Sequence, residues 1–133
     1  MREILFRGKR IDNGEWVYGD FVHGVKKQKE MAFIWSENET PSPLDVLEFA
    51  VDPATVGQYT GLNDGYGKRI FEGDIVAQPV CKYTVEFDGG AFFLVPIPAH
   101  NPYCCPQQLI GIGAMFEVIG NIHDNPELME GYK

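Results

Sequence analysis

The stretch that decides the fold is GLNDGYGKRIFEGDIV, residues 61–76. Gly61, Gly65 and Gly67 lie within seven residues, and a lysine and an arginine follow at once. Glycines followed by cations occur in loops that cradle phosphate groups and also in tight turns between strands. The two alternatives imply different functions, so the spacing of the residues has to decide between them.

A phosphate-binding loop has four residues between its glycines, then Lys and a Ser or Thr, and a helix behind it. Here five residues separate Gly61 from Gly67, and Arg69 stands where the hydroxyl is needed. The β-branched and aromatic residues downstream oppose a helix, and no dinucleotide fingerprint is present. We therefore interpret the stretch as a turn in which Gly65 and Gly67 have positive φ, with a bend at Gly73 in the strand that follows.

On either side of this stretch the chain reads as short strands joined by glycine-bearing turns, which predicts a mainly β fold. We expect a small antiparallel barrel or roll of the SH3-like type over residues 51–133, preceded by an N-terminal β-hairpin region over 1–50. Helical structure is limited to short turns, and 1–133 forms a single unit with a polar loop at 37–43. The apolar run at 112–122 predicts a buried last strand.

In the N-terminal half, Asn13-Gly14 predicts a two-residue type I′ turn, because both central positions of that turn need positive φ. The lysine-rich run at 26–29 is expected to form the next turn, before a strand at 31–36. Residues 42–51 fit both a helix start and strand alternation, and we predict a short helical turn that leads into a strand.

The chain has 133 residues and a net charge of −8, from 11 Lys and Arg against 19 Asp and Glu. This length suits one domain with its own core. No window approaches the ~18 uninterrupted apolar residues of a membrane span, and the charged N-terminus is not typical of a signal peptide. We therefore predict a cytoplasmic protein with no membrane partner.

Three cysteines occur, Cys81, Cys104 and Cys105, and their odd number without an export signal predicts reduced thiols. His100, Cys104 and Cys105 come nearest to a metal-binding set, but Cys-x-x-Cys is absent and adjacent cysteines point in different directions. We predict no metal site and no cofactor. A cysteine nucleophile paired with His100 or His123 is an alternative to inert thiols in a proline-rich loop.

Catalytic groups are sparse in this sequence. Ser36 and Ser42 stand in no nucleophile motif. Glu72 and Asp74 lie two apart around Gly73, so an extended strand would place both carboxylates on one face, where acid–base chemistry could use them. A solvated strand entry explains the same pair. We predict that the protein is not an enzyme, with an enzyme that uses Glu72 and Asp74 as the remaining alternative.

Several blocks of the sequence closely resemble the YopX family: FRGKRIDNGEWVYGDFV, VDPATVGQYTGLNDGYGKRIFEGDIV, VEFDGGAFFLV and EVIGNIHDNPELM. The resemblance implies a protein encoded by a phage or prophage, with a mainly β fold and an SH3-like barrel in the half that begins near VGQYTGL. It implies no enzymatic activity or cofactor, so it carries no functional residues to this chain.

Without a catalytic set, the leading hypothesis is a regulatory or binding module for another protein, from the phage or from its host. Exposed aromatic residues could line a groove between the loops of a small roll. The candidates are Tyr59, Tyr66 and Phe71, with Lys68 and Arg69 beside them. The alternative for each aromatic residue is a place in the core.

Nucleic-acid binding is the second hypothesis, since small barrels bind oligonucleotides. The net negative charge disfavours it, because an acidic chain is repelled by phosphate backbones. It requires a set of dispersed cations to gather on one face: Lys26, Lys27, Lys29, Lys68, Arg69 and Lys82. Open strand edges also make a homo-oligomer an expectation.

Overall fold

The computed structural model describes residues 3–26, 29–36 and 49–130, apart from the side chains of residues 24–26, 29 and 30. Within this part of the chain the regular structure is strands and 3-10 turns, which confirms the mainly β prediction. No helix in it is long and apolar enough to cross a membrane.

The strands are β1 (Phe6–Lys9), β2 (Trp16–Lys26), β3 (Lys29–Trp35), β4 (Ala50–Val51), β5 (Gly57–Asn63), β6 (Arg69–Phe71), β7 (Asp74–Ala77), β8 (Lys82–Asp88), β9 (Ala91–Ile97), β10 (Gln107–Gln108) and β11 (Glu117–Asn121). The 3-10 turns are Pro53–Thr55, Gly113–Met115 and Pro126–Met129. The last of these begins at Pro126, whose fixed φ suits the first position of a helical turn.

Contacts divide the chain into two compact units, Met1–Tyr59 and Thr60–Lys133. The sequence pattern places the division earlier, after residue 50. The later position follows from pairing, because β4 lies beside β3 and Gly57 at the start of β5 pairs with Arg7 of β1. The Lys9 N–H group also donates to Thr55 Oγ1 at 2.9 Å.

In the first unit the strands lie in the order β4-β3-β2-β1-β5. The β2–β3 hairpin pairs residues from Asp20↔Trp35 to Lys26↔Lys29. The two ends of the lysine-rich run are thus paired across the hairpin, and residues 27–28, where the turn is predicted, lie outside the described residues. The expected polar loop at 37–43 and most of the ambiguous segment 42–51 lie outside the described residues. Aliphatic and aromatic side chains form the core of this unit: Ala32, Ile34 and Val51, with Phe6, Val17, Phe21 and Val56 packed against them.

The first hairpin turn is longer than the predicted two-residue type. β1 and β2 are joined by residues 10–15, in which the Gly14 N–H group donates to the Arg10 carbonyl oxygen at 2.9 Å. Gly14 does have a positive φ, 71°. The side chain of Asn13 accepts the Glu15 N–H group at 2.9 Å instead of forming the centre of a two-residue turn.

In the second unit the chain leaves β5 through a turn into β6, and a separate sheet has the order β10-β9-β8-β7-β11. The β8–β9 hairpin turns at Gly89 and Gly90, with φ of 58° and 86°, where the sequence predicts a tight turn. Burial of apolar side chains stabilises this unit. Its core contains Ile70, Val76, Tyr83, Val85, Leu94, Leu109, Phe116 and Val118.

The segment RIFEGDIVAQ is not the single bent strand that we predict. β6 ends at Phe71 and β7 begins at Asp74, because Gly73 has a φ of 90° and turns the chain. The Gly73 N–H group donates to Val85 O at 2.8 Å, and its carbonyl accepts the Ile122 N–H group at 2.9 Å. The glycine therefore joins the turn to two other segments of the unit.

The last strand also differs from the prediction of continuous burial. Residues 112–122 contain the 3-10 turn Gly113–Met115 before β11 begins. In β11, Val118 is buried while Glu117 and Ile119 are exposed, because the strand lies at the edge of its sheet and only one of its faces meets the core. The apolar run in the sequence hides this alternation.

Gly19 of β2 tests the packing of the first unit. A Cβ atom at this position would collide with the carbonyl group of Trp35, which is backbone and cannot move aside. We expect Gly19→Ala to lower the free energy of unfolding by about 2–3 kcal/mol. The control is Val22→Ala, an exposed position on the same strand. Urea denaturation measures both variants, and equal stabilities would contradict this packing.

Candidate functional site

The turn between β5 and β6 is organised by Asp64, whose side chain is 5% exposed. Its Oδ1 atom accepts the N–H groups of Tyr66 at 2.9 Å and Lys68 at 2.8 Å. Its Oδ2 atom accepts the N–H group of Val118, in β11, at 3.0 Å. The backbone closes the same turn, since the Asp64 N–H group donates to Lys68 O at 2.8 Å. One carboxylate thus shapes the turn and fastens it to the edge strand.

The ionisation of Asp64 depends on these contacts. Burial of the Asp64 carboxyl group by itself raises its pKa. This effect is outweighed by hydrogen bonds from three backbone N–H groups, those of Val118, Lys68 and Tyr66, and by the positive charge of Lys68. The pKa of Asp64 therefore lies below its usual value. The resulting stabilisation is complete above the ordinary aspartate pKa of about 4 and is lost as the pH falls through the lower folded value.

The two glycines beside Asp64 have different roles. Gly67 has a φ of 82°, as the sequence predicts. The predicted positive φ at Gly65 is wrong, since Gly65 is required for close packing instead. A Cβ atom there would lie 2.8 Å from the carbonyl oxygen of Ala114, and the Gly65 N–H group donates to Phe116 O at 2.9 Å. The backbone of the turn therefore lies directly against residues 114–116.

A groove of about 590 Å³ opens at this junction. Its walls are the Asp64 turn, the residues that follow β7, and the 3-10 turn that leads into β11. Tyr66 is 81% exposed and Met115 is 63% exposed. The lining residues are Gly65, Tyr66, Ala77, Gln78, Pro79, Ala114, Met115, Phe116 and Glu117. The groove is a concave surface with both polar and apolar lining and one acidic side chain at its wall.

The structure separates the predicted partner-binding residues. Tyr66, Lys68 and Arg69 are exposed on or beside the turn. Tyr59 and Phe71 are buried, so neither can line a surface groove, because each lies on the inward face of its strand. Sequence reasoning missed the contributions of Pro79 and Met115, which lie far from the turn in sequence and meet it only in the fold.

The cysteines form a bond that the sequence does not predict. Cys81 and Cys104 are joined by a disulfide, with Cα atoms 6.0 Å apart, and Cys105 is free and exposed. The prediction of three reduced thiols is therefore wrong. Cys104 cannot serve as a thiolate ligand beside His100 and Cys105, and among the described residues no group of three potential donors could hold a metal ion.

The carboxylate pair Glu72 and Asp74 does not share a solvated face. Asp74 is buried, and its Oδ2 atom accepts the Phe71 N–H group at 2.8 Å. Glu72 lies in the turn and is half-buried. The predicted arrangement fails because Gly73 turns the chain between the two residues. Asp74 stabilises the β6–β7 turn, so the geometry offers no pair of carboxylates for acid–base catalysis at this position.

A second cavity, of about 500 Å³, lies in the first unit. Two cations at its wall already have partners, since Arg10 pairs with Asp12 at 2.6 Å and the Lys9 Nζ atom lies 5.6 Å from the centre of the Trp16 ring. β3 and β4 border this cavity, and residues 37–48 between them lie outside the described part of the chain. We assign no function to this cavity.

Replacement of Asp64 tests the turn. In Asp64→Asn the amide NH2 group cannot accept a backbone N–H group, so we expect a loss of about 2–3 kcal/mol in the free energy of unfolding at pH 7. The difference from wild type narrows as the pH falls below about 4, because the Asp64 carboxyl of the unfolded chain is protonated first and the folded one follows at its lower pKa. The control is Asp88→Asn at an exposed position. Equal effects of the two substitutions in urea denaturation would contradict the assigned role of Asp64.

Comparison with known proteins bears on family and fold. A family model described as YopX protein matches residues 5–130. No curated protein matches the chain. Among solved structures, the crystal structure of protein EF1440 from Enterococcus faecalis is similar with a TM-score of 0.51 and 23% sequence identity, over 98% of this chain and 100% of that one. At this identity the similarity concerns the fold alone. Since the family model spans nearly the whole sequence, the chain belongs to the YopX family.

Proposed function

We propose that this protein is a non-enzymatic binding module that holds an extended segment of another protein in the groove beside Asp64. The observation that carries the proposal is that two strongly exposed side chains, Tyr66 and Met115, both line one concave surface. Large apolar side chains lose contact with water when a partner covers them, and tyrosine is enriched among the residues that dominate binding energy.

The construction of the groove supports this function. Tyr66 stands on a turn that Asp64 and Gly65 fix against residues 114–118 through backbone hydrogen bonds. A side chain presented on a rigid backbone loses little conformational freedom when it binds, so more of the contact energy contributes to affinity. The groove volume of about 590 Å³ falls within the range in which specific ligands are held.

The charge of the groove indicates the chemistry of the partner. Glu117 is the acidic residue of the lining, and the whole chain carries a net charge of −8. These charges favour a partner segment with a basic residue next to Glu117. The same segment would place an apolar side chain against Tyr66 and Met115. Lys68 of the same turn and Arg69 at the start of β6 are exposed, so nucleic-acid binding remains the competing hypothesis.

The biological setting is part of the proposal. The resemblance to the YopX family supports a phage or prophage protein that acts in the cytoplasm of a bacterial host, with a host or phage protein as its partner. The five-stranded sheet of the second unit supports an SH3-like roll as its architecture. A homo-oligomer is compatible with this function, because two copies would present two grooves.

Selection from a random peptide library tests the binding function directly. Wild-type protein is expected to enrich peptides that contain a basic residue near an apolar or aromatic one. Fluorescence polarisation then measures the affinity of an enriched peptide. We expect Tyr66→Ala to weaken it about 30-fold, which corresponds to about 2 kcal/mol. Tyr18→Ala is the control, because Tyr18 is an exposed tyrosine in the first unit.

Two results would contradict the proposal. One is the absence of any enriched peptide whose binding depends on Tyr66. The other is binding of a single-stranded oligonucleotide at low salt that is stronger than peptide binding and is lost in Tyr66→Ala, which would assign the groove to nucleic acid.

A further inference from the structure

The Cys81–Cys104 disulfide connects the groove to a separate segment of the second unit. Cys81 ends the turn after β7, where the Gln78 N–H group donates to Cys81 O at 2.8 Å. Gln78 and Pro79 of this turn line the groove. Cys104 belongs to residues 98–106, between β9 and β10. The disulfide therefore fastens this segment to the turn that forms one wall of the groove.

Residues 98–106 contain few other connections to the fold. The backbone N–H group of Asn101 donates to Pro98 O at 3.0 Å and that of Cys104 donates to Asn101 O at 3.3 Å. The Tyr103 N–H group donates to Asn101 Oδ1 at 2.9 Å. These hydrogen bonds join residues of the segment to one another, and its prolines have no N–H group to donate. The buried side chain of Cys104 is what joins it to the core cluster.

The disulfide also brings together two segments that carry exposed apolar side chains. Each bonded cysteine follows an exposed apolar residue: Val80 is 69% exposed and Tyr103 is 84% exposed. The Sγ atom of Cys81 lies 3.8 Å from the carbonyl oxygen of Tyr103. With the bond formed, the backbone of Tyr103 is held beside Cys81, the residue that ends the turn containing Pro79 and Val80.

We propose that Cys81 and Cys104 form a redox-controlled tether that holds residues 98–106 beside the groove and thereby regulates partner binding. The regulation rests on the proposed binding function of the groove, whereas the tether itself is a property of the chain alone. When the bond is intact, Tyr103 contributes to the binding surface. When it is reduced, residues 98–106 are released from the turn that forms one wall of the groove, and affinity for the partner falls.

The chemistry is thiol–disulfide exchange with a dithiol. A thiolate of the dithiol attacks one sulfur of the pair and forms a mixed disulfide, and its second thiol releases the protein. The S–S bond of the protein breaks, two electrons and two protons pass from the dithiol to Cys81 and Cys104, which become thiols, and the dithiol becomes a disulfide. Reducing compartments favour the open state and oxidising conditions favour the tethered state.

Hydrogen exchange measured by mass spectrometry tests the tether on the protein without a partner. The protein used is Cys105→Ser, so that the exposed thiol cannot exchange with the disulfide. A non-reducing digest first establishes the Cys81–Cys104 link. Dithiothreitol is then expected to accelerate exchange in residues 98–106 about tenfold, because the open form becomes more populated. The amides of Tyr66 and Lys68, which Asp64 holds, are the internal reference and keep their rates.

A second variant and a binding measurement complete the test. Without reductant, Cys81→Ser is expected to show the same fast hydrogen exchange in residues 98–106 as the reduced protein. If this variant fails to fold, the reduced Cys105→Ser protein is compared with its oxidised form instead. A groove-binding peptide is expected to bind the oxidised protein about tenfold more tightly, because Tyr103 adds to the contact surface.

The proposed tether is contradicted if no Cys81–Cys104 disulfide forms after mild oxidation. It is also contradicted if hydrogen exchange in residues 98–106 is equally fast in the oxidised and the reduced protein. The regulation is overturned if a groove-binding peptide has the same affinity for both states. Absence of any peptide that needs Tyr66 would refute the proposed function instead, and the exchange measurement would still decide whether the tether exists.

Discussion

The carboxylate of Asp64 accepts three backbone N–H groups, and one of them, from Val118, lies 54 positions away in the chain. Buried N–H groups must find an acceptor, so these contacts fix both a turn and an edge strand with one side chain. The edge of β11 at Val118 is thereby closed to pairing with another strand. The tight approach of Gly65 to Ala114 is possible only because no side chain intervenes.

This constraint determines what the second unit presents to solvent. Since the backbone of the turn is held by hydrogen bonds, Tyr66 stays outside the core and is 81% exposed, and it lines the same groove as Met115. The same unit uses its other buried carboxylate, Asp74, to stabilise the β6–β7 turn. Of the two carboxylates that the sequence offers for catalysis, Asp74 is therefore structural, and the exposed surface beside the Asp64 turn is a concave groove.

The sequence was sufficient to predict the features of this turn that depend on neighbouring residues alone. Aspartate and glycine between two β-favouring runs indicate a turn, and Gly67 has the positive φ that such a turn needs. The hydrogen bond from Val118 could not be predicted, because nothing in either segment indicates the other. The burial of Phe71 was equally inaccessible, since an aromatic residue beside a turn fits the core and a binding surface alike. Cys81 and Cys104 are 23 positions apart, and only the fold brings them together.

The central claim is that an ionised Asp64 holds the turn and β11 together, and nuclear magnetic resonance tests it most directly. The amide protons of Tyr66, Lys68 and Val118 should change their chemical shifts together during an acid titration, because all three report the same carboxylate. Their common midpoint should lie below the ordinary aspartate pKa of about 4. The account would be contradicted if the chemical shift of the Val118 amide proton did not change during the titration. It would also be contradicted if the common midpoint lay at or above the ordinary aspartate pKa.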